Sequence, residues 1–518
     1  MNISYNWLKN YIDINLPAEE VDKILTSIGL EVEGIEKYES IKGGLEGFVI
    51  GEVKTQAKHP NADKLSVTTV DVGNGTILPI VCGAPNVAAG QKVVVATVGT
   101  VVYKGNESFT IQKAKLRGEP SEGMICAEDE LGVGNDHSGI MVLDTQAKVG
   151  TPAKEYFNIV SDTVFAIGLT PNRIDAASHI GVAREIAAYL NLKQPTVAKM
   201  PSIDQFKIDN NDRITDIVVE NEEACPRYSG LTIIGVKVQP SPEWLQNYLK
   251  AIGQNPINNI VDITNFILHE LGQPLHAFDA DKITGGKVIV KTLPEGTKFV
   301  TLDNNERSLA ANDLMICNSE GGMCIAGVFG GVESGVTEQT SNVFIESACF
   351  SPKFIRKTAK KHMLNTDASF RFERGTDPNM PVFALKRAAN LIKELAGGTV
   401  SSPVIDVYPN PIADFDVDLK YAYVDMLVGK KIEHETIKKI LPSLDIKIAL
   451  EDAEGLKLKV APYRVDVQRP ADVVEEILRI YGYNNVEFTD SVRSTLSYSE
   501  KPDRSEVVNI ISDFLSSN

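Results

Sequence analysis

The feature that most constrains this chain is a change of hydrophobic period that later reverses. Residues 42–150 carry strand-like alternation: Leu65, Val67, Thr69 and Asp71 interleave with Ser66, Thr68, Val70 and Val72, and the run Val93-Val94-Val95-Ala96-Thr97-Val98 follows. Gly73, Gly75, Gly83, Gly90, Gly99 and Gly105 punctuate the segment. Short strands with regular turn signals predict a small β-barrel. On both sides the period is helical. Residues 1–40 read as helical, with Val21, Ile24, Leu25 and Ile28 on one face and Gly29 as the stop. Residues 151–200 return to that pattern, with a turn at Thr170-Pro171-Asn172-Arg173 and then Val182, Ile186 and Leu190 on one face. One period enclosed by the other predicts a barrel inserted into a domain built from both flanks.

With 518 residues the chain is too long for a single core, and roughly three to five domains are expected. The Pro/Asp/Asn-rich stretch 200–213 reads as a linker. Residues 214–400 are mixed α/β. Residues 401–490 combine the strand-like Val404-Ile405-Asp406-Val407-Tyr408 with helices near 434–442 and 471–480, and an amphipathic helix begins at Glu506-Val507-Val508-Asn509-Ile510-Ile511. The hydrophobic share of 43% and charged share of 23% are ordinary for a globular protein. No apolar run is long enough for a membrane helix, and Met1-Asn2-Ile3-Ser4-Tyr5 lacks the character of a signal peptide, so a cytoplasmic protein without membrane contact is expected. The six cysteines form no CxxC pair and are expected as small buried hydrophobes. A net charge of −17 argues against nonspecific nucleic-acid binding by the whole surface, yet residues 42–150 are near balance, with 10 Lys and Arg against 12 Asp and Glu.

Three constellations have chemical potential. Asp466, Asp472, Glu475 and Glu476 gather around Pro470, a first-turn residue type; the last three acids share one helix face, and spacing alone reads them first as acids that favour a helix N-terminus and second as an oxygen set suited to Mg²⁺. Lys353, Arg356, Lys357, Lys360 and Lys361 would line one face of a helix over 352–362, with Arg371 and Arg374 following. No acid lies between Lys353 and Lys361, so the stripe reads as a phosphate-binding face or as a solvated one. The third constellation spans Val261-Asp262-Ile263-Thr264-Asn265, Gly272-Gln273-Pro274-Leu275-His276-Ala277-Phe278-Asp279, the small-residue run Ile325-Ala326-Gly327-Val328-Phe329-Gly330-Gly331, and Phe344-Ile345-Glu346-Ser347-Ala348. Glu346 lies in an apolar strand-like run, where a carboxylate is costly unless paired. His276 is a candidate partner, or else a core histidine with satisfied nitrogens. No arrangement here supplies a protein nucleophile.

Longer motifs add a resemblance. Ser4-Tyr5-Asn6-Trp7-Leu8, His59-Pro60-Asn61-Ala62-Asp63-Lys64-Leu65, Arg117-Gly118-Glu119-Pro120-Ser121-Glu122-Gly123-Met124, Leu169-Thr170-Pro171-Asn172-Arg173, Phe370-Arg371-Phe372-Glu373-Arg374-Gly375 and Ile480-Tyr481-Gly482-Tyr483-Asn484 occur in order. Over essentially its whole length the chain resembles the β subunits of bacterial phenylalanyl-tRNA synthetases. The resemblance implies a multidomain α+β protein. An OB-fold tRNA-binding barrel (41–150) would be inserted in an N-terminal α/β domain (1–40 plus 151–200). A mixed α/β editing domain (211–398), a small α+β domain with the acidic helix (401–486) and the start of a catalytic-like domain (487–518) would follow. Family members run longer, so the chain is expected to be C-terminally truncated.

The same resemblance implies a ligase subunit that binds the tRNA for phenylalanine and hydrolyses tyrosine misattached to it. The α subunit would activate phenylalanine with ATP, in a heterotetramer of two α and two β. It places Thr264, Asn265, His276, Ala326, Gly327, Gly330 and Glu346 around the editing pocket and Mg²⁺ at Asp466, Asp472, Glu475 and Glu476. Lys353, Arg356, Lys357, Lys360 and Lys361 are the tRNA-binding candidates. The alternative is a non-catalytic RNA-binding or scaffolding subunit. Double-sieve logic gives Glu346 a role: it accepts the hydroxyl that distinguishes tyrosine from phenylalanine, while water cleaves an ester that is already activated.

Overall fold

A computed structural model describes residues 1–105, 107–487 and 503–518; residues 488–502 of the terminal segment 487–518 named above therefore lie outside the described residues. The chain is a multidomain α+β protein whose first sheet is made from both flanks of the barrel. Its strands run in the order Asn2–Ser4, Ser161–Gly168, Glu31–Glu39, all antiparallel. The helical reading of these flanks is correct for Ala18–Ser27, which buries Val21, Ile24 and Leu25, and for His179–Leu190. It is wrong for Glu31–Glu39 and Ser161–Gly168, which are strands. The first is rich in charge and largely exposed, so its own pattern says little. It is a strand because eight of its residues pair with the later segment, a contact that local periodicity cannot register.

Between these flanks lies a curled antiparallel sheet in the order Gly123–Ile125, Lys92–Thr97, Phe48–Lys58, Ser66–Asp71, Ile77–Cys82. Its ends approach each other: the Glu122 N–H donates to Pro79 O (2.8 Å) and the Val81 N–H to Ser121 Oγ (3.1 Å). Val93, Val94, Val95 and Ala96 are all buried, because both faces of their strand are covered.

The central region stacks two five-stranded sheets. One contains Leu275–Asp279, Asn342–Cys349 and Arg227–Ile234 as antiparallel neighbours, with Thr399–Val400 and Ile405–Val407 at its edge. Alternation along these strands sends Leu231, Ile233, Val343, Ile345 and Ala277 into one core with the helices Asn259–Leu271 and Pro381–Ala396. Tyr228, Phe278, Phe344 and Ala348 point the other way, into a second core against the sheet that holds Leu314–Cys317 and Gly322–Ile325. Last come the antiparallel strands Phe415–Lys420, Gly455–Val460 and Ile446–Glu451 with three helices, including Pro470–Tyr481. All six cysteines are buried, and no helix among the described residues is long and apolar enough to cross a membrane.

Candidate functional site

A cavity of about 420 Å³ opens between the helix Asn259–Leu271 and the two stacked sheets. The helix starts where the Asn258 side chain accepts the N–H groups of Ile260 (3.1 Å) and Val261 (3.0 Å), and it stops at Gly272 in the left-handed region. This places Thr264 and Asn265 on the cavity wall. The Thr264 hydroxyl donates to Val261 O at 2.7 Å, so its proton is used within the helix and its oxygen remains an acceptor. The Asn265 amide has no hydrogen-bond partner among the described residues.

The opposite wall is glycine-built. Gly327 has φ +64°, and a Cβ at Gly330 would lie 2.8 Å from Leu302 and 3.0 Å from the His276 ring, so a larger residue would close the space beside the imidazole. Ala326 is a different case. Its side chain belongs to the core between the sheets and does not line the cavity, whereas Thr264, Asn265, His276, Gly327, Gly330 and Glu346 do.

Glu346 and His276 are directly opposite on neighbouring strands, with Gly230 on Glu346's other side. Their side chains share a sheet face but make no hydrogen bond with each other. The carboxylate's partner is Tyr228, whose buried hydroxyl donates to Glu346 Oε2 at 2.6 Å. Sequence reasoning looked to His276 and missed Tyr228, because nothing in Arg227-Tyr228-Ser229 separates it from any core tyrosine. Among the described residues no cation pairs with Glu346; burial pushes its carboxyl up to about 7, with the Tyr228 bond acting in the opposite sense. The His276 ring meets Phe278 edge-on at 4.5 Å and has no hydrogen bond among the described residues. Burial holds it down at about 4, so it is neutral at physiological pH.

The short helix Asp367–Phe372 lines the mouth and is fixed by a capping box at Thr366. It also anchors through Arg371, which is buried and donates to Ala177 O (3.2 Å) and Asp367 O (2.9 Å). Arg371 therefore does not extend the basic stripe. Nor does Arg374, which pairs with Glu373 and stacks on Phe370 at 3.8 Å. The stripe itself lies on the helix Pro352–His362, which buries Ile355, Thr358, Ala359 and His362. Lys353, Arg356, Lys357, Lys360 and Lys361 are all exposed, and none makes an ion pair among the described residues.

Asp466, Asp472, Glu475 and Glu476 border a separate cavity of about 320 Å³. Asp466 accepts from the Asn172 amide (2.7 Å), Asp472 is bound by the Arg469 guanidinium (2.8 Å), and Glu475 is exposed. Glu476 is buried between Arg464 (2.8 Å) and Arg479 (2.6 Å). Glu476, expected to share one face with Asp472 and Glu475 towards a cation, is thus engaged by Arg479, three residues on along the same helix, and by Arg464, 12 residues before it, a contact that spacing within the helix does not register. Among the described residues no group of three or more His, Cys, Asp or Glu is arranged to hold a metal ion.

Three family models match in order: a putative tRNA binding domain over residues 48–152, the B3/4 domain over 224–397 and the tRNA synthetase B5 domain over 417–483. The cavity with Glu346 falls within the second. The phenylalanine–tRNA ligase beta subunit of Bacteroides fragilis is 60% identical over 518 residues, covering 99% of this chain and 63% of that protein. The Geobacter metallireducens protein of the same name is 42% identical, covering 97% of this chain and 61% of its own length. The chain thus spans somewhat under two thirds of these curated relatives. A solved N-terminal fragment of the phenylalanyl-tRNA synthetase beta-subunit from Pyrococcus horikoshii covers 62% of this chain and 88% of that fragment, at 18% identity and a TM-score of 0.33, too distant to bear on the fold. Near-complete alignment at 60% identity, with the three domains in sequence order, makes the chain similar over its whole length to the matching part of phenylalanine–tRNA ligase beta subunits.

Proposed function

We propose that the cavity at Glu346 hydrolyses tyrosine from tRNA that should carry phenylalanine, within a β subunit that supports attachment of phenylalanine by an α partner. The observation that carries this reading is a buried carboxylate, paired with no cation among the described residues, facing a cavity large enough for an aromatic side chain. An apolar synthetic site rejects an added hydroxyl only about a hundredfold, so a second site that requires the hydroxyl is chemically useful. The phenol O–H of tyrosine donates to the Glu346 oxygen that Tyr228 does not hold; phenylalanine leaves that oxygen without a donor and is disfavoured. Thr264 oxygen and the Asn265 amide face the same space and hold the ester or terminal ribose. Neutral His276 orients the attacking water by hydrogen bonding. The water oxygen adds to the ester carbonyl, the bond to the ribose oxygen breaks, and the departing oxygen takes up a proton. No protein nucleophile is required.

In this reading the barrel (41–150), presented as an OB-fold, and the basic stripe bind tRNA. The editing domain is 211–398, and the N-terminal domain is completed by 1–40 and 151–200. Lys353, Arg356, Lys357, Lys360 and Lys361 lie on a helix that packs beside the Asp367–Phe372 mouth, a suitable position for guiding phosphates of the acceptor end. ATP serves the whole enzyme on the α subunit, in an α₂β₂ assembly, in the cytoplasm. Magnesium, where the family holds it, would find Asp466 and Glu475 as its more open ligands, since Asp472 and Glu476 are engaged by arginines; it would neutralise local carboxylate charge, and no step of the hydrolysis runs through it.

The test compares deacylation of tyrosyl- and phenylalanyl-tRNA by the wild-type chain and Glu346→Ala. Loss of one charge-assisted bond, about 1.5–3 kcal/mol, predicts a fall of roughly ten- to hundredfold in the preference for the tyrosyl ester. An unaltered ratio of the two rates removes Glu346 from the role of reader.

A further inference from the structure

Glu346 has four lone-pair sites on two oxygens. One oxygen accepts from Tyr228. We propose that Tyr228 is the positioning residue that sets the specificity of this pocket: by holding Oε2 it turns Oε1 into the acceptor offered to a hydroxylated aromatic side chain. The proposal rests on the reading of Glu346 given above and extends it to a residue that never touches the substrate.

The geometry supports this in three ways. Tyr228 is fully buried, its ring packed between the two sheets with Phe278, Phe344 and Ala348, so its hydroxyl arrives from a fixed direction. It lies two residues from Gly230, the cross-strand neighbour of Glu346, on the same sheet face, and reaches the carboxylate from behind the cavity wall. It is also the carboxylate's only hydrogen-bond donor among the described residues. A terminal carboxylate torsion is broad and soft, so one directional donor decides which oxygen faces the ligand.

The other titratable groups around Glu346 do not compete for that task. His276, opposite on the strand Leu275–Asp279, is neutral at physiological pH and does not bond to Glu346. The Cys225 and Cys324 thiols, from the segment before Arg227–Ile234 and from the strand Gly322–Ile325, are pushed up by burial and stay protonated. Asp367 at the mouth is engaged by Gln254 (2.9 Å) and Arg371 (3.3 Å). The helix Asn259–Leu271 contributes Val261, Thr264, Asn265 and Leu268 to the cavity, all uncharged. The anionic form of Glu346 thus depends on Tyr228, which opposes the upward push of burial.

The experiment measures binding of L-tyrosine and L-phenylalanine to the 518-residue chain from about pH 6 to about pH 9, for wild type, Tyr228→Phe and Glu346→Gln. Wild type should prefer tyrosine, with the preference growing as pH rises through the Glu346 titration. Tyr228→Phe keeps the ring and should lower the preference roughly tenfold near neutrality, the size of one charge-assisted bond, and move the profile to higher pH. Phenylalanine binding should not change. A Tyr228→Phe profile that superimposes on wild type, while Glu346→Gln abolishes the preference, overturns the role of Tyr228 and leaves Glu346 as reader. A uniform fall for both amino acids assigns Tyr228 to packing alone and equally overturns it. Glu346→Gln with an intact preference overturns the reading of Glu346 and the proposal with it.

Discussion

Replacing Glu185 with alanine should destabilise the chain by about 3–5 kcal/mol. Glu185 lies on the helix His179–Leu190, buried, and accepts from Arg173 (2.9 Å), Arg464 (3.4 Å) and Arg479 (3.1 Å). Arg173 also holds Asp175 at 3.0 Å, while Arg464 and Arg479 hold Glu476. Three guanidinium groups thus face three carboxylates, all shielded from water. Arginine does not give up its proton in a protein, so removing one acid leaves a buried positive charge without compensation. Glu185→Gln keeps the shape and some acceptor capacity and isolates the contribution of the charge.

The chain's two tryptophans report on this region. Trp7 stacks on His179, at the start of the same helix, at 3.9 Å, and Trp244 meets Phe266 edge-on at 5.7 Å. With a urea dependence of roughly 2 kcal/mol per molar for a domain-sized unit, the fluorescence midpoint of Glu185→Ala should fall by about 2 M. The pH dependence has a definite sign. Burial alone would raise the Glu185 carboxyl, but Arg479, Arg173 and Arg464 outweigh it and hold it well below the ordinary carboxylate range. Its stabilisation is therefore complete above the unfolded value near pH ~4.3 and disappears only as pH falls through the depressed folded value. The gap between wild type and variant should be flat at neutral pH and narrow only in acid. A midpoint shift below about 0.5 M at neutral pH would refute the reasoning, because it would mean the arginines reach water without cost.

Asn258→Ala should cost about 1 kcal/mol, since two amides at the start of the pocket helix lose their acceptor; faster hydrogen exchange at Ile260 and Val261, ahead of any global change, is the readout. Reversing charge at Lys353, Lys357 and Lys360 should weaken RNA binding and flatten its salt dependence by roughly one unit of log–log slope per lost phosphate contact; fluorescence anisotropy over a salt series with an unchanged slope would show the stripe to be a solvated face.

What was legible in the sequence follows the range of the interactions involved. The helices at Ala18–Ser27 and His179–Leu190 and the exposed faces of Lys353 to Lys361 depend on spacing within a few turns, and their residues declare it. The strands Glu31–Glu39 and Ser161–Gly168 define each other across the inserted barrel, so neither segment alone specifies its state. The same limit misdirected the reading of Glu476. Its helical position was evident, but its partners include Arg464, 12 positions away, and Arg479 shares it with Glu185, 294 positions away. At the cavity, small residues and an isolated acid in an apolar run marked the wall, while Tyr228, 118 positions from Glu346, had no local signature.

The cavity also depends on residues far from it in function. One face of the helix Asn259–Leu271 carries Thr264 and Asn265; the other is held by the N-terminal segment. The Trp7 indole donates to the Tyr11 hydroxyl (2.8 Å), which donates to buried Glu270 (2.8 Å), itself bound by Arg387 at 3.1 Å. His179 faces His269 O through one ring nitrogen (2.9 Å) and accepts the Ser4 N–H through the other (3.1 Å), while Arg371 bridges Ala177 and the mouth helix. These are buried polar bonds, which tolerate less displacement than apolar contacts because a broken one leaves an unsatisfied group. A pocket with the proposed task of distinguishing one hydroxyl cannot let its wall drift by about an ångström. The sheet side of the cavity is fixed by strand register, and the helix side by this polar lattice. The flanks of the inserted barrel therefore serve two ends: they close their own sheet and they brace the helix that faces Glu346.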